Sequence, residues 1–349
     1  MSDPIPASYV LPLRWARPGP FPELAAYLRE IAGQVREVIV VDGSPSRLYA
    51  RHATAFAGFA IHVRPDPGLR FAMGKVNGVI TGVHLASQEL IVIADDDIRY
   101  DTAALRRTVA VLGGADLVRP QNYFEPLTWH ARWDTARSLL NRVFSGDLRR
   151  PAADFPGTLA VRRSAFLRAG DYDGNLMFEN LELIRTVSAA GGRVTSPLDL
   201  YVARRPPDAR HFLSQRVRQA YDDFALPLRM AAMLSLAPLA LLALSRGRPR
   251  SLAAGALGGV VLAEGGRRRA GGAAVFPASG SLLAPAWLAE RAVCSWLALG
   301  ARAWGGVRYG DARIARSATP ERELRRRYLA ARGAGSSREP PSARNPISL

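Results

Sequence analysis

The sequence predicts an α/β protein: a mostly parallel sheet flanked by helices, followed by an apolar helical region. Three observations predict it. Short apolar runs alternate with helical segments from Ser8 to Leu112. Acidic residues stand where two of those runs end, at Asp42 and at Asp95-Asp96-Asp97. After Asp223 the composition turns to Leu, Ala and Gly with few polar residues.

The elements follow in order. Ser8 to Leu13 reads as a first strand. Phe21 to Val35 reads as a helix, with Leu24, Leu28 and Ile31 on one face and Pro22 near its start. Glu37 to Val41 is a second strand that runs into the turn signal Asp42-Gly43-Ser44-Pro45. Ala60 to Val63 is a short third strand, Gly74 to Leu85 a helix, Leu90 to Ala94 the fourth strand and Tyr100 to Leu112 another helix. In a sheet of this kind ligands bind off the carboxyl ends of the strands. Asp42 and the Asp95–Asp97 group both sit at that edge.

Composition narrows the function classes. The 349 residues allow about two domains and a sizeable core, and 48% hydrophobic content fits a folded chain. The net charge is +17, carried almost wholly by Arg; Lys75 is the sole lysine. Arg246, Arg248 and Arg250, and then Arg267 to Arg269, flank apolar stretches, which points to anionic headgroups or anionic substrates before nucleic acid. No recognised nucleic-acid module accompanies the charge, so no nucleic-acid partner is expected. Cys294 is the single cysteine, which excludes an internal disulfide and a Cys-based zinc site. Met1 to Arg14 lacks a charged segment followed by an apolar one, so the leading domain is expected in the cytosol. The dinucleotide fingerprint G-x-G-x-x-G and the Walker-A loop are both absent, which argues against a simple NAD enzyme or P-loop NTPase.

The stretch Ile91 to Ile98 carries the sharpest chemical signal. A buried apolar strand runs straight into three acids, whose mutual repulsion calls for a positive partner such as a divalent metal with oxygen ligands. On an extended segment Asp95 and Asp97 share a face, while Asp96 points away. Asp96 is left with two readings, contact with a ligand's hydroxyls or a structural role. Asp42 before Gly-Ser is a common turn former, and its place at the strand edge adds a binding reading. Lys75 reads either as a point charge for phosphates or as a solvated helix residue. The aromatic group Tyr123, Phe124, Trp129, His130 and Trp133 reads as core packing, as the wall of an acceptor site or as a rest on a membrane surface.

Taken together, residues 8 to 223 resemble a family 2 glycosyltransferase with the GT-A fold. The matching pieces come in the family's order: Val10 to Arg14, Val40 to Ser44, Gly74-Lys75 with Asn77, and Asp95-Asp96-Asp97. They continue with Gly157-Thr158, Arg162-Arg163, Gly170 to Asp173, Phe178-Glu179-Asn180 and Gly191-Gly192. The resemblance implies a nucleotide-diphosphate sugar donor and Mg²⁺ or Mn²⁺. It implies that Asp42 meets the nucleoside base and that Asp95 and Asp97 hold the donor and the metal, which stabilises a leaving diphosphate; Asp96 and Lys75 are donor-binding candidates beside them.

His211 to Tyr221 resembles the Q-x-x-R-W element of membrane-associated members. Gln215 and Arg218 match and bind the donor by that resemblance, whereas Gln219 replaces the Trp, which favours transfer of a single sugar over polymer synthesis. Inverting transfer needs a base for the acceptor hydroxyl. Where relatives carry Glu-Asp, this chain carries Glu179-Asn180, and Asn cannot take the proton. Three readings follow: Glu179 as the base, which the sequence favours; Glu182, three residues on along the same helix; or altered or lost activity.

In the last third, Met230 to Leu244, Leu252 to Leu262, Ala273 to Leu288 and Ala292 to Ala303 are apolar runs, none cleanly reaching the roughly 20 residues of a span. An interfacial or re-entrant helix, or a weakly biased span, would reconcile them with basic residues on both sides, and buried helices of a soluble domain are the other reading. The expected organisation is a glycosyltransferase domain over residues 1–223, with a nucleotide-sugar half at 1–112 and an acceptor half at 113–223. An apolar membrane region follows at 224–310 and a basic, partly disordered tail at 311–349. The expected function is metal-dependent transfer of one sugar to a lipid or lipid-linked glycan, at the cell membrane with the catalytic domain in the cytosol. The alternative is a catalytically impaired membrane protein that binds nucleotide sugar or a partner.

Overall fold

The computed structural model describes residues 3–145, 157–310 and 312–336. The strands are β1 (Ile5–Leu13), β2 (Val35–Asp42), β3 (Ile61–Val63), β4 (Leu90–Ala94), β5 (Ile98–Arg99), β6 (Leu117–Val118), β7 (Gln121–Phe124), β8 (Thr158–Arg162), β9 (Val194–Thr195), β10 (Tyr201–Arg204), β11 (Val307–Tyr309) and β12 (Ala312–Ile314). The helices are α1 (Phe21–Ala32), α2 (Ser46–Phe56), α3 (Gly74–Leu85), α4 (Thr102–Leu112), α5 (Trp129–Phe144), α6 (Arg163–Ala169), α7 (Glu179–Ala189), α8 (Ala209–Ser214), α9 (Arg216–Tyr221), α10 (Pro227–Ser245), α11 (Pro249–Arg268), α12 (Ala278–Leu282), α13 (Ala284–Ala303) and α14 (Glu321–Ser336).

The main sheet has the order β3-β2-β1-β4-β8-β6-β9. Every pairing is parallel except the two made by β8, which runs antiparallel to β4 and to β6. The mostly parallel sheet flanked by helices is therefore as the alternation of elements predicts. The central strands are apolar on both faces because helices cover both. Tyr9, Leu11, Val92 and Ala94 join Leu24, Leu28, Leu105 and Leu112 on one side. Val10, Ile91 and Ile93 join Val76, Ile80, Leu183 and Val187 on the other.

Two differences from the sequence reading have local causes. The helix expected to run to Val35 ends at Ala32, because Gly33 caps it and Val35 already pairs with Ile5. The segment after Pro45 forms α2, whose buried face consists only of His52 and Phe56 and so left no apolar periodicity to read.

A second, three-stranded sheet, β5-β10-β7, stands beside the main one. It starts one turn after Ala94, so the acidic segment lies at the junction of the two sheets. The apolar helices then pack back on the first two thirds of the chain. Ala136, Leu139 and Leu140 of α5 form a core with Ala263 of α11, Phe276, and Ala284 and Trp287 of α13. Arg142, also on α5, is buried and donates to the carbonyls of Gly266 (3.2 Å), Leu198 (3.0 Å) and Arg269 (2.8 Å) and to the Tyr201 hydroxyl (2.8 Å). It therefore caps the end of α11 while tying it to β10.

Residues 312–336, within the expected basic, partly disordered tail, carry β12 and α14. β12 pairs with β11, Leu176 bridges to Arg316, and α14 packs on α7. The physical reason is that Val307 and Ile314 enter the same core as Tyr221 and Met230, which fixes the chain on either side of the hairpin. The remainder of the expected tail, 337–349, lies outside the described residues.

Gly266 is where α11 meets α5 most closely: a Cβ there would lie 1.9 Å from the Leu139 carbonyl oxygen. Because the obstacle is backbone, Gly266→Ala should cost about 1–3 kcal/mol. Denaturant unfolding should register that loss, and Gly255→Ala, at an open position of the same helix, should be neutral or better.

Candidate functional site

The buried strand β4 ends at Ala94, and the next three residues turn rather than continue extended. The Asp95 amide donates to Gly157 (2.8 Å), and the Ile98 amide donates back to the Asp95 carbonyl (3.1 Å), closing the turn. The three carboxylates are therefore carried on a turn rather than on an extended strand. All three nevertheless line one cleft of about 450 Å³, together with Arg14, Lys75, Glu179, Arg204, Gln215, Arg218, Asp222 and Tyr309.

Each carboxylate of the turn has its own partner. Lys75 Nζ donates to Asp95 Oδ1 at 2.7 Å and to Glu179 Oε1 at 2.9 Å. Arg204 Nε donates to Asp97 Oδ2 at 2.8 Å, and the Trp15 indole N–H donates to Asp96. The last contact favours the structural reading of Asp96. Arg204 and Trp15 escaped the sequence reading. Their partners lie 107 and 81 residues away, and neither residue stands in a distinctive motif.

Burial disfavours the charged form of Lys75, but Asp95 and Glu179 outweigh it and hold the ammonium well above the ordinary lysine range. Burial pushes the Asp97 carboxyl up to about 6. Arg204 opposes that shift, and the neighbouring Asp95 and Asp96 add to it. Burial likewise raises Asp96, against the hydrogen bond from Trp15. The lone lysine is thus an internal counter-charge, placed on α3 where Gly74 begins the helix.

The donor set fits a hard divalent cation held partly by its ligand. Asp97 Oδ1 is buried without a hydrogen-bond partner. Among the described residues no group of three or more His, Cys, Asp or Glu is preassembled for a metal. Two carboxylates with substrate phosphates and water completing the shell is the pattern Mg²⁺ prefers over an all-protein cage.

Two expected residues lie outside the cleft. Asp42 is fully buried. Its Oδ1 accepts from the Ser44 amide (2.8 Å), and its Oδ2 meets His52 Nδ1 (2.7 Å) and His62 Nε2 (3.1 Å). It ties the end of β2 to α2 and β3, while Val41 and Pro65 line the cleft. Glu182 is also fully buried, and its Oε2 accepts from the Thr319 amide at 2.7 Å. One helical turn beyond Glu179 brings it against the segment before α14, not toward the acids of β4. It does not line the cleft that holds those acids.

Gln215 and Arg218 do reach the cleft, at the start of α9. The Arg218 guanidinium lies 5.5 Å from the centre of the Tyr309 ring, so the hairpin after the apolar helices completes the wall. His130 is buried and its Nε2 donates to the Pro207 carbonyl at 2.7 Å, while Trp129 is exposed. Tyr123 and Trp133 pack against the core that joins α5 to the apolar helices.

No family model matches the chain, and no curated protein matches it. Solved structures overlap with it. One is a mannosyltransferase from Pyrobaculum calidifontis in complex with GDP-Man and Mn²⁺, at 18% identity and TM-score 0.48, covering 84% of this chain and 89% of that one. A second is glucosyl-3-phosphoglycerate synthase from Mycobacterium tuberculosis, at 20% identity and TM-score 0.42, covering 61% and 76%. A third is mannosyl-3-phosphoglycerate synthase from Rubrobacter xylanophilus, at 17% identity and TM-score 0.43, covering 61% and 70%. With each TM-score below 0.5, the functional reading rests on the cleft's own side chains.

The hydrogen bonds to Asp42 hold its carboxyl well below the usual carboxylate range, against the effect of burial. A depressed folded-state value stabilises the fold above the ordinary Asp value, and the contribution is lost as the pH falls below it. Asp42→Asn should therefore cost about 2–4 kcal/mol at neutral pH. It should also flatten the fall of stability between about pH 5 and pH 2. Urea unfolding across that range checks both.

Proposed function

We propose that this chain is a GT-A glycosyltransferase that moves one sugar from a nucleotide-diphosphate donor to an acceptor hydroxyl at a membrane surface. The observation that carries the reading is the acidic turn at the carboxyl end of β4, facing a cleft walled by Lys75, Arg204, Arg14 and Arg218. That combination suits a ligand with both a metal-binding diphosphate and further negative charge. A carboxylate cluster alone would repel a diphosphate, and a cationic cleft alone would have no use for three acids.

Asp95 and Asp97 would hold Mg²⁺ or Mn²⁺, and the bound ion would neutralise charge on the departing diphosphate. The chain's own cations share that work. Arg218 offers a permanently charged fork for phosphate oxygens, and Gln215 stands beside it. Lys75 holds Asp95 in place and leaves Glu179 charge-paired. Arg204 fixes Asp97 through one oxygen and leaves the other, Oδ1, for the ion. Asp96, bound by Trp15, sets the turn. Without the aromatic residue that Gln219 replaces, the cleft is read as serving a single transfer.

The membrane reading rests on α10 to α13. α10 is 19 residues long with mean hydropathy 1.8, and Met230 is its one buried residue. Leu228 is 89% exposed and Leu241 66%. Leu257 and Val261 of α11 and Val293, Trp296 and Leu297 of α13 are exposed as well. So many exposed apolar side chains on neighbouring helices, edged by Arg246, Arg248 and Arg250, suit an anionic lipid surface. An acceptor that is a lipid or a lipid-linked glycan follows from that placement. Localisation at the cytosolic face of the cell membrane is part of the same proposal. The alternative, a protein that binds nucleotide sugar without transfer, is favoured by Asn180 alone.

Two experiments test the reading. With UDP-glucose and GDP-mannose offered in turn with Mn²⁺ and extracted lipid, the full chain should release nucleoside diphosphate, and Asp97→Ala should lose at least ~100-fold of that rate. Donor binding without release from any lipid extract would favour the alternative. Co-sedimentation with phosphatidylserine-containing vesicles should fall roughly tenfold or more when Leu239→Asp and Leu241→Asp are combined. Unchanged sedimentation would sink the lipid-surface reading.

A further inference from the structure

The reaction needs a proton acceptor, and the residue expected for it is compromised. Glu179 reaches the cleft, but its Oε1 is already engaged by Lys75 at 2.9 Å. Asn180 has no basic atom. A different carboxyl stands in the same cleft. Asp222, in the short 3-10 turn that follows α9, is 5% exposed and lines the cleft wall with Glu179, Arg218 and Tyr309. Its Oδ1 is buried and has no hydrogen-bond partner. Its backbone carbonyl accepts from the Ser317 hydroxyl at 2.9 Å, so the turn that presents it is anchored to the segment after β12. A buried, unpartnered carboxylate oxygen at the wall of a polar cleft is costly unless a ligand meets it.

Resting on the glycosyltransferase reading above, we propose that Asp222, not Glu179, is the general base that deprotonates the acceptor hydroxyl. The acceptor's O–H proton passes to Asp222 Oδ1. The oxygen's electron pair forms the new bond to the sugar's anomeric carbon. The bond from that carbon to the diphosphate oxygen breaks, and its electron pair leaves with the nucleoside diphosphate. Glu179 then has a different task, holding Lys75 against Asp95.

The electrostatic setting suits this division. Burial pushes the Asp222 carboxyl well above the usual carboxylate range, and the charges of Glu179 on α7 and Asp223 in the same turn add to the rise. Arg291 from α13 and Arg218 from α9 oppose it. A base is most effective when its value lies near the working pH. The sign is definite: a carboxyl with a raised value is protonated and inactive in acid, and the rate climbs as the pH passes through that value.

The test uses the full chain in detergent with UDP and Mn²⁺ for binding, and the UDP-glucose or GDP-mannose release assay for turnover. Asp222→Asn should bind UDP with Mn²⁺ as the wild type does, measured by calorimetry, while kcat falls roughly 100- to 10,000-fold. Asp222→Glu should recover part of the rate and keep the rise of kcat/KM with pH, which Asp222→Asn should abolish. Glu179→Gln should keep that rise. A thermal melt of each variant separates loss of fold from loss of chemistry, and Asp222→Glu serves where Asp222→Asn fails to fold. Wild-type turnover with an unimpaired Asp222→Asn, or a pH rise that vanishes in Glu179→Gln, overturns the assignment of Asp222 alone. A wild type that neither binds UDP or GDP with Mn²⁺ nor turns over either donor overturns this proposal together with the reading beneath it.

Discussion

Everything in the cleft depends on how three adjacent carboxylates at the end of a buried strand are kept from repelling one another. Without a bound ligand, the fold does this with Lys75 on Asp95, Arg204 on Asp97 and the Trp15 indole on Asp96. The three partners come from three separate places: α3, the end of β10 and the loop after β1. The acidic turn is therefore a point at which the main sheet, its covering helix and the small second sheet are tied together. Charge neutralisation at the site and assembly of the fold are the same set of contacts.

The apolar helices enter this picture through their two ends. Asp222 lies just before α10 begins at Pro227, and Tyr309 lies just after α13 ends at Ala303, yet both line the cleft. Between them, α11 and α13 are fastened to α5 by the core around Trp287 and by Arg142. A surface suited to lipid is thus built from the same segment whose ends form the cleft wall. Under the proposed function, that arrangement would bring an acceptor carried in a membrane close to the cleft without a separate docking domain.

Much of the site was legible because local sequence made it so. The run Ile91 to Asp97 announces a buried strand ending in charge, and Gly74, Lys75, Gln215 and Arg218 line the same cleft. What the sequence did not show was long-range. Asp42 sits at the correct strand end, but His52 and His62 close over it, and only the packing of α2 against β3 brings two imidazoles to one carboxylate. Glu182 shares a helix with Glu179, yet the Thr319 amide, 137 residues on, claims it. Asp222 drew no notice because an Asp-Asp pair beside a basic helix reads as solvated surface.

The sequence by itself determined the alternation of strands and helices, the position of the acidic turn, the scarcity of lysine and the apolar character of the last third. These depend on period, composition and neighbours along the chain. Only the tertiary structure decided which carboxylates face the cleft, which are spent inside the fold, and that the segment after the apolar helices returns to complete the wall. The physical reason is that a carboxylate's role is set by what surrounds it in space. A cation from 104 residues away fixes Glu179, while Asp222 Oδ1 has been left without a partner.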